Sequence, residues 1–283
     1  MKRPRILVID GNRAATREQQ VAAGGRPSGE GYVEVLLSLH ADLHCDIVRP
    51  ADAPVVFPDG ASLSAYNGVA ITGSALNIYA GGDHIDRQIE LMRAVFDAGL
   101  PCFGSCWGLQ LAVTAGGGVV QANPQGREFG FGRRIALTAT GRAHPMYAGK
   151  PDVFEAVTVH KDIIATLPAN STELARNDMG LQAAEIRRGR SVFWGVQYHP
   201  EYSFADIAAT AQRYGEVLVT EGLFRDRADL DHYVGELRSL QTRPDDARLT
   251  WQHGLGSALS KPALKLAEIN NWLQSQVFPA IAR

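Results

Sequence analysis

Three cysteines occur in this chain, and one of them stands in a setting suited to covalent chemistry. Cys106 lies in Gly104-Ser105-Cys106-Trp107-Gly108, after the apolar run Leu100-Pro101-Cys102-Phe103 and before the helix-compatible segment Leu109 to Ala115. Gly-x-Cys-x-Gly between a strand and a helix is the layout of a nucleophile elbow, a sharp turn that holds the reactive side chain clear of the backbone. Flanking glycines avoid the clash a Cβ would make beside so tight a turn. By itself the motif also fits a buried, inert cysteine.

A second segment changes the balance. Val192-Phe193-Trp194-Gly195-Val196-Gln197-Tyr198-His199-Pro200-Glu201 is a strand-like run that delivers a histidine, with a glutamate two residues later. A cysteine nucleophile needs a base to take its proton, and the base needs a third group to fix its tautomer. His199 and Glu201 can supply both from one strand end, and Pro200 restricts the backbone between them.

Together, Gly104-Ser105-Cys106-Trp107-Gly108-Leu109-Gln110 and Gly195-Val196-Gln197-Tyr198-His199-Pro200-Glu201 resemble the class I (triad-type) glutamine amidotransferases. The likeness is strongest to the glutaminase domain of GMP synthase and its free-standing relatives, and it covers about Arg5 to Gly222. It implies Cys106 as nucleophile, His199 as base, Glu201 as the orienting carboxylate and a γ-glutamyl thioester intermediate. Thr72-Gly73-Ser74, leaving the apolar run Gly68 to Ile71, occupies the place of the family's Gly-Gly oxyanion turn, with Ser74 where the second glycine stands. The backbone N–H of Gly73 or Ser74 and that of Trp107 are then the expected oxyanion donors. Whether the Gly73-Ser74 peptide is preset or must flip stays open at this point. Gln110 and, less directly, Glu128 in Arg127-Glu128-Phe129-Gly130 are the expected substrate contacts. His160 in Val159-His160-Lys161-Asp162 resembles the family's His-x-Asp segment, near the site without being the base; a surface-turn histidine is the alternative. The substrate implied is glutamine or another γ-glutamyl small molecule. No phosphate loop, dinucleotide fingerprint or metal spacing appears, so no cofactor and no metal are expected.

The elements that must position these groups follow from apolar patterning. Arg5 to Asp10 is a continuous apolar strand of the kind found in a sheet covered on both faces. Gly11 to Gly31 reads as a polar loop, Tyr32 to Leu39 as a helix and Cys45 to Val48 as a strand. Ile85, Ile89, Met92 and Phe96 mark an amphipathic helix over Asp83 to Ala98, closed by Gly99. Strand alternating with helix points to a parallel sheet. After Gly118 the runs shorten and alternate (Arg133 to Leu137, Phe154 to Val159, Thr172 to Ala175, Leu181 to Ile186), which predicts an antiparallel section ending in the strand that carries His199. Phe204 to Glu221 reads as one helix. The expected fold is therefore α/β: an open, mostly parallel central sheet flanked by helices, the flavodoxin-like arrangement of class I glutaminases, with an antiparallel section and a C-terminal helical extension.

The domain division expected is 1–222 for the amidotransferase domain and 223–283 for the extension. In the extension, Leu230, Val234, Leu237 and Leu240 suggest one helix and Leu266, Ile269, Leu273 and Val277 another, with Gln241 to Gly256 polar and irregular between them. About sixty residues are too few for a synthetase domain. A net charge of −2 gives no electrostatic case for nucleic acid or an anionic membrane, and no apolar run nears the roughly 20 residues of a membrane span. The basic start Met1-Lys2-Arg3-Pro4-Arg5 lacks the layout of a signal peptide, and Cys45, Cys102 and Cys106 form no disulfide framework, so a reducing cytoplasm is expected. The leading functional reading is a glutaminase that passes ammonia to a separately encoded synthetase. The alternative is a stand-alone γ-glutamyl hydrolase or peptidase acting on γ-glutamyl conjugates. A binding module that keeps the three residues as a relic is a third.

Overall fold

A computed structural model describes residues 3–281; the Met1-Lys2 start considered above lies outside them. In chain order the first strands are β1 (Arg5–Ile9), β2 (His44–Val48), β3 (Gly68–Ile71), β4 (Cys102–Ser105) and β5 (Val119–Ala122). The later ones are β6 (Glu128–Leu137), β7 (Val153–His160), β8 (Asp162–Thr166), β9 (Ser171–Asn177), β10 (Gly180–Arg188) and β11 (Ser191–Val196). Nine of them form one sheet in the order β2-β1-β3-β4-β11-β10-β9-β6-β7, while β5 and β8 pair separately. The run from β2 to β11 is parallel, and from β11 to β7 every pairing is antiparallel.

Ile6, Leu7, Val8 and Ile9 are all wholly buried, because successive side chains of β1 enter opposite faces and both faces are covered. Leu7 and Ile9 join the core under two helices, α3 (Asp83–Asp97) and α4 (Trp107–Ala115), which follow α1 (Ala14–Ala22) and α2 (Ser28–Leu39) in the chain. Ile6 and Val8 face α2 and the C-terminal residues Ile269, Trp272, Leu273 and Val277. The extension thus completes one layer of the central core, with Trp272 and Phe103 ring centroids 6.1 Å apart. A further apolar cluster joins β7 to α6 (Phe204–Tyr214) and α8 (Arg227–Thr242), which flank the short α7 (Glu216–Thr220) and come after α5 (Ala139–Ala143).

The structure corrects several sequence-based expectations. Gly11 to Gly31 is not a loop throughout: α1 forms within it and α2 begins at Ser28. The one buried side chain of α1 is polar Gln20, whose amide donates to Thr210 Oγ1 (3.2 Å) on α6. An element docked by a hydrogen bond leaves no apolar stripe to read. The helix expected over Phe204 to Glu221 breaks into α6 and α7 at Gly215, which has φ +45°. Gln241 to Gly256 contains a short helix, Ala247–Gln252, anchored by buried Leu249. The helix over Ala267–Trp272 widens into a π-turn over Leu273–Val277 and resumes over Phe278–Ile281. Among the described residues no helix is long and apolar enough to cross a membrane.

Because Trp272 is fully buried against the central strands, Trp272→Ala should cost about 3–5 kcal/mol of unfolding free energy. Denaturant unfolding measures this. A loss under about 1 kcal/mol would show that the extension does not share the core.

Candidate active site

The pairing of β4 with β11 brings the two sequence motifs together. Gly104 stands opposite Gly195 and Ser105 opposite Val196, so the turn that follows each strand leaves the sheet at the same end. The Cys106 N–H donates to the Val196 carbonyl (2.7 Å) and the His199 N–H to the Val157 carbonyl (2.7 Å). Cys106 has φ +51° and ψ −101°, a conformation that costs a non-glycine residue about 1–3 kcal/mol. Helix α4 starts immediately after it and is buried on nearly every side, which holds the strained turn in place. A Cβ on Gly108 would lie 2.8 Å from the Ile71 carbonyl oxygen, so only glycine lets the helix sit this close to β3.

Around the sulfur the side chains form one buried chain of contacts. His199 Nδ1 is 2.8 Å from Glu201 Oε1, which leaves Nε2 for Cys106. Glu201 Oε2 accepts the Ser105 hydroxyl (2.9 Å), and the Ser105 and Tyr32 hydroxyls are 3.1 Å apart. Gln197 Nε2 donates toward Cys106 Sγ at 3.6 Å. The Tyr202 ring stacks on the imidazole, with centroids 4.1 Å apart and planes 22° from parallel. Cys106, His199 and Glu201 are all buried. Burial pulls the proton affinity of His199 down, but the Glu201 charge and the hydrogen bonds to Cys106 and Glu201 outweigh it and raise its pKa to about 10. His199 therefore carries its proton through neutral pH.

The Gly73-Ser74 peptide is fixed in one orientation. Thr72 Oγ1 (2.8 Å) and Asn12 Nδ2 (3.1 Å) both donate to the Gly73 carbonyl, and in a trans peptide the Ser74 N–H points the opposite way. Among the described residues the N–H groups of Gly73, Ser74 and Trp107 donate to no protein acceptor. The Ser74 hydroxyl is engaged elsewhere, donating to the Gly11 carbonyl (2.9 Å). A Cβ on Gly73 would come within 2.5 Å of His199 Cε1, so glycine at this position gives the imidazole its space.

A cleft of about 260 Å³ opens beside Cys106. Gln110, one helical turn beyond the cysteine, lines it as expected from its position. Its charged wall carries Arg127, Lys161, Asp162 and Glu221. Arg127 donates twice to Glu221 (2.7 and 3.2 Å), and Lys161 lies 3.0 Å from the same carboxylate. Burial raises the proton affinity of Asp162, which accepts the Tyr79 hydroxyl (2.8 Å). Glu128 does not reach the cleft. Its carboxylate accepts from His160 Nε2 (2.8 Å), Asn177 Nδ2 (2.7 Å) and Gln182 Nε2 (3.0 Å), so it anchors His160, which does line the wall. His160 is accordingly a buried, fixed residue and not a surface-turn one. Ser105, Tyr32, Gln197, Tyr202 and the Arg127–Glu221–Lys161 cluster were not singled out from sequence. Ser105, Gln197 and Tyr202 adjoin the two motifs, which was the available signal; Tyr32 carries none.

The family model described as glutamine amidotransferase class-I matches residues 29–208. The chain is 33% identical to the γ-glutamyl-L-1-hydroxyisopropylamide hydrolase of a Pseudomonas species, in an alignment covering 100% of this chain and 96% of that protein. It is 34% identical over 164 residues to a glutamine-hydrolysing GMP synthase of Streptomyces avermitilis, covering 57% of this chain and 28% of the synthase. Among solved structures, a glutamine amidotransferase from Thermotoga maritima has the same fold, with TM-score 0.61 at 18% identity over 98% of this chain and 99% of that one.

The charge on Glu201 is what raises His199, so Glu201→Gln should lower the imidazole pKa from about 10, as read by NMR titration of the ring. The folded value lies above the ordinary 6.5, so the protonated pair contributes its full stability below about pH 6.5 and loses it as pH rises through about 10. Unfolding free energy should therefore fall over that window in the native chain and fall less in Glu201→Gln. An unchanged titration in the variant would contradict the assignment.

Proposed function

The chain belongs to the class I glutamine amidotransferase family, and we propose that within it the chain is a self-sufficient hydrolase of γ-glutamyl amides. The observation that carries the chemistry is the buried line Cys106, His199, Glu201 and Ser105 at the edge of an open cleft. The mixed charges of Arg127, Lys161, Asp162 and Glu221 suit a zwitterionic head bearing an α-carboxylate and an α-ammonium, with Gln110 beside the amide that is cleaved.

In this reading the Cys106 sulfur attacks the γ-carboxamide carbon and the carbonyl π electrons move to oxygen. The N–H groups of Ser74 (or Gly73) and Trp107 stabilise that oxyanion, each donor being worth about 3–4 kcal/mol. As the oxyanion collapses the C–N bond breaks, and the leaving amine takes the proton held on His199. A water molecule then gives a proton to His199 and attacks the γ-glutamyl thioester, breaking the C–S bond, releasing glutamate and freeing the Cys106 sulfur for the next cycle. Glu201, held by Ser105, keeps Nδ1 protonated so that Nε2 serves the reacting atoms.

The extent of the match favours a hydrolase over an ammonia donor. Similarity to the γ-glutamyl amide hydrolase runs the whole length, including the C-terminal segment built into the core, whereas the GMP synthase aligns with just over half of the chain. Delivery of ammonia to a separate synthetase is the second reading, supported by that partial match.

The test is turnover by the purified chain alone on glutamine and on a series of γ-glutamyl alkylamides. The proposal expects kcat/KM for the best alkylamide to exceed that for glutamine by about tenfold or more. Cys106→Ala should lose at least about a thousandfold in kcat with an unchanged unfolding midpoint. Ammonia release from glutamine that appears only when a synthetase is added would overturn it in favour of the second reading.

A further inference from the structure

A second cavity, of about 240 Å³, lies apart from the catalytic cleft and shares none of its residues. Its walls are largely apolar, with Val157, Phe204, Leu240, Leu259 and Leu266 among them, and two thirds of its lining comes from the C-terminal segment. One cation lines it, Lys265. Among the described residues the Lys265 ammonium donates to no acceptor and pairs with no carboxylate. Lys150, whose side chain is buried, shows the contrast: it is paired with Glu268. The acids nearest Lys265 in effect are already committed. Asp206 is held by the Arg26 guanidinium (3.1 and 3.0 Å) and by Ser203, and Glu201 by His199 and Ser105.

Lys265 is partly exposed, and at the cavity its ammonium meets solvent and no protein acceptor. Desolvation by the surrounding walls lowers its proton affinity, to about 8, with Asp206 and Glu201 raising it and Arg26 and Lys150 opposing them. A cavity just below the usual size of ligand sites, with largely apolar walls and one unpaired cation as its only charge, is complementary to a compact apolar body with one negative charge. We propose that this cavity binds a small organic monocarboxylate, with Lys265 pairing its carboxylate and the apolar walls taking its body. Inorganic phosphate suits the cation and not the walls. The site also adjoins the catalytic residues. Tyr202 forms part of its wall and stacks on His199, so an occupant bears on the imidazole through that ring.

The probe for the test is phenylacetate, with phenylacetamide as its uncharged isostere, each titrated into the full chain by calorimetry. Phenylacetate should bind with a Kd in or below the low-millimolar range, about 1 mM. Lys265→Met should weaken it by about tenfold or more, and phenylacetamide should show no such dependence on Lys265. Ser260→Trp, which fills the cavity from its rim without touching the charge, should abolish binding as well. Binding should survive prior alkylation of the chain with iodoacetamide. The proposal is overturned if phenylacetate fails to bind at about 10 mM, or binds Lys265→Met and Ser260→Trp as it binds the native chain. Equal affinity for the amide, or loss of binding on alkylation, which would place the anion in the catalytic cleft, overturns it too.

Discussion

The candidate active site depends on the parallel pairing of β4 with β11. Ser105 opposite Val196, and the Cys106 N–H bonded to the Val196 carbonyl, place a cysteine and a histidine 93 positions apart in sequence (199 − 106) at one sheet end. The turn at Cys106 is intrinsically unfavourable, and the buried ladder beneath it and the fully packed α4 behind it keep it from relaxing. The sulfur is therefore presented by the backbone, while its chemistry is set by side chains that arrive from the neighbouring strand. A slip of β11 by one residue would turn its alternate side chains to the other face and dissolve the site.

The proton inventory follows from the same pairing. His199 and Glu201 meet where almost no water reaches them, so their mutual attraction is strong and the imidazole retains a proton that a solvent-exposed histidine would give up. Ser105 and Tyr32 extend this line with two hydroxyls, fixing the carboxylate so that its second oxygen is not left bare. The peptide at Gly73 is similarly fixed, its carbonyl taken by Thr72 and Asn12.

Much of this was legible in the sequence because it rests on residue type at short range. Cys106 between glycines and His199-Pro200-Glu201 at a strand end are local patterns, and the continuous apolar runs of β1, β3 and β4 announce a sheet covered on both faces. What escaped depends on partners distant in the chain. Ser105 is an ordinary small strand residue until Glu201 comes to it, and Tyr32 reads as one more apolar position on α2. Helix α1 carries no apolar stripe because its buried contact is the Gln20 amide. Glu128 has the type of a ligand-binding acid, but three donors on neighbouring strands claim its carboxylate. The C-terminal residues show helical spacing, yet nothing in that spacing says that Trp272 and Val277 complete the layer over β1.

The central claim is that Cys106 forms a γ-glutamyl thioester, and the most direct measurement is intact-mass spectrometry on acid-quenched enzyme during turnover of a γ-glutamyl alkylamide. The account predicts a γ-glutamyl adduct that peptide mapping places on Cys106, and that is missing from Cys106→Ala. Turnover with no adduct at Cys106, persisting at the native rate in that variant, would contradict it.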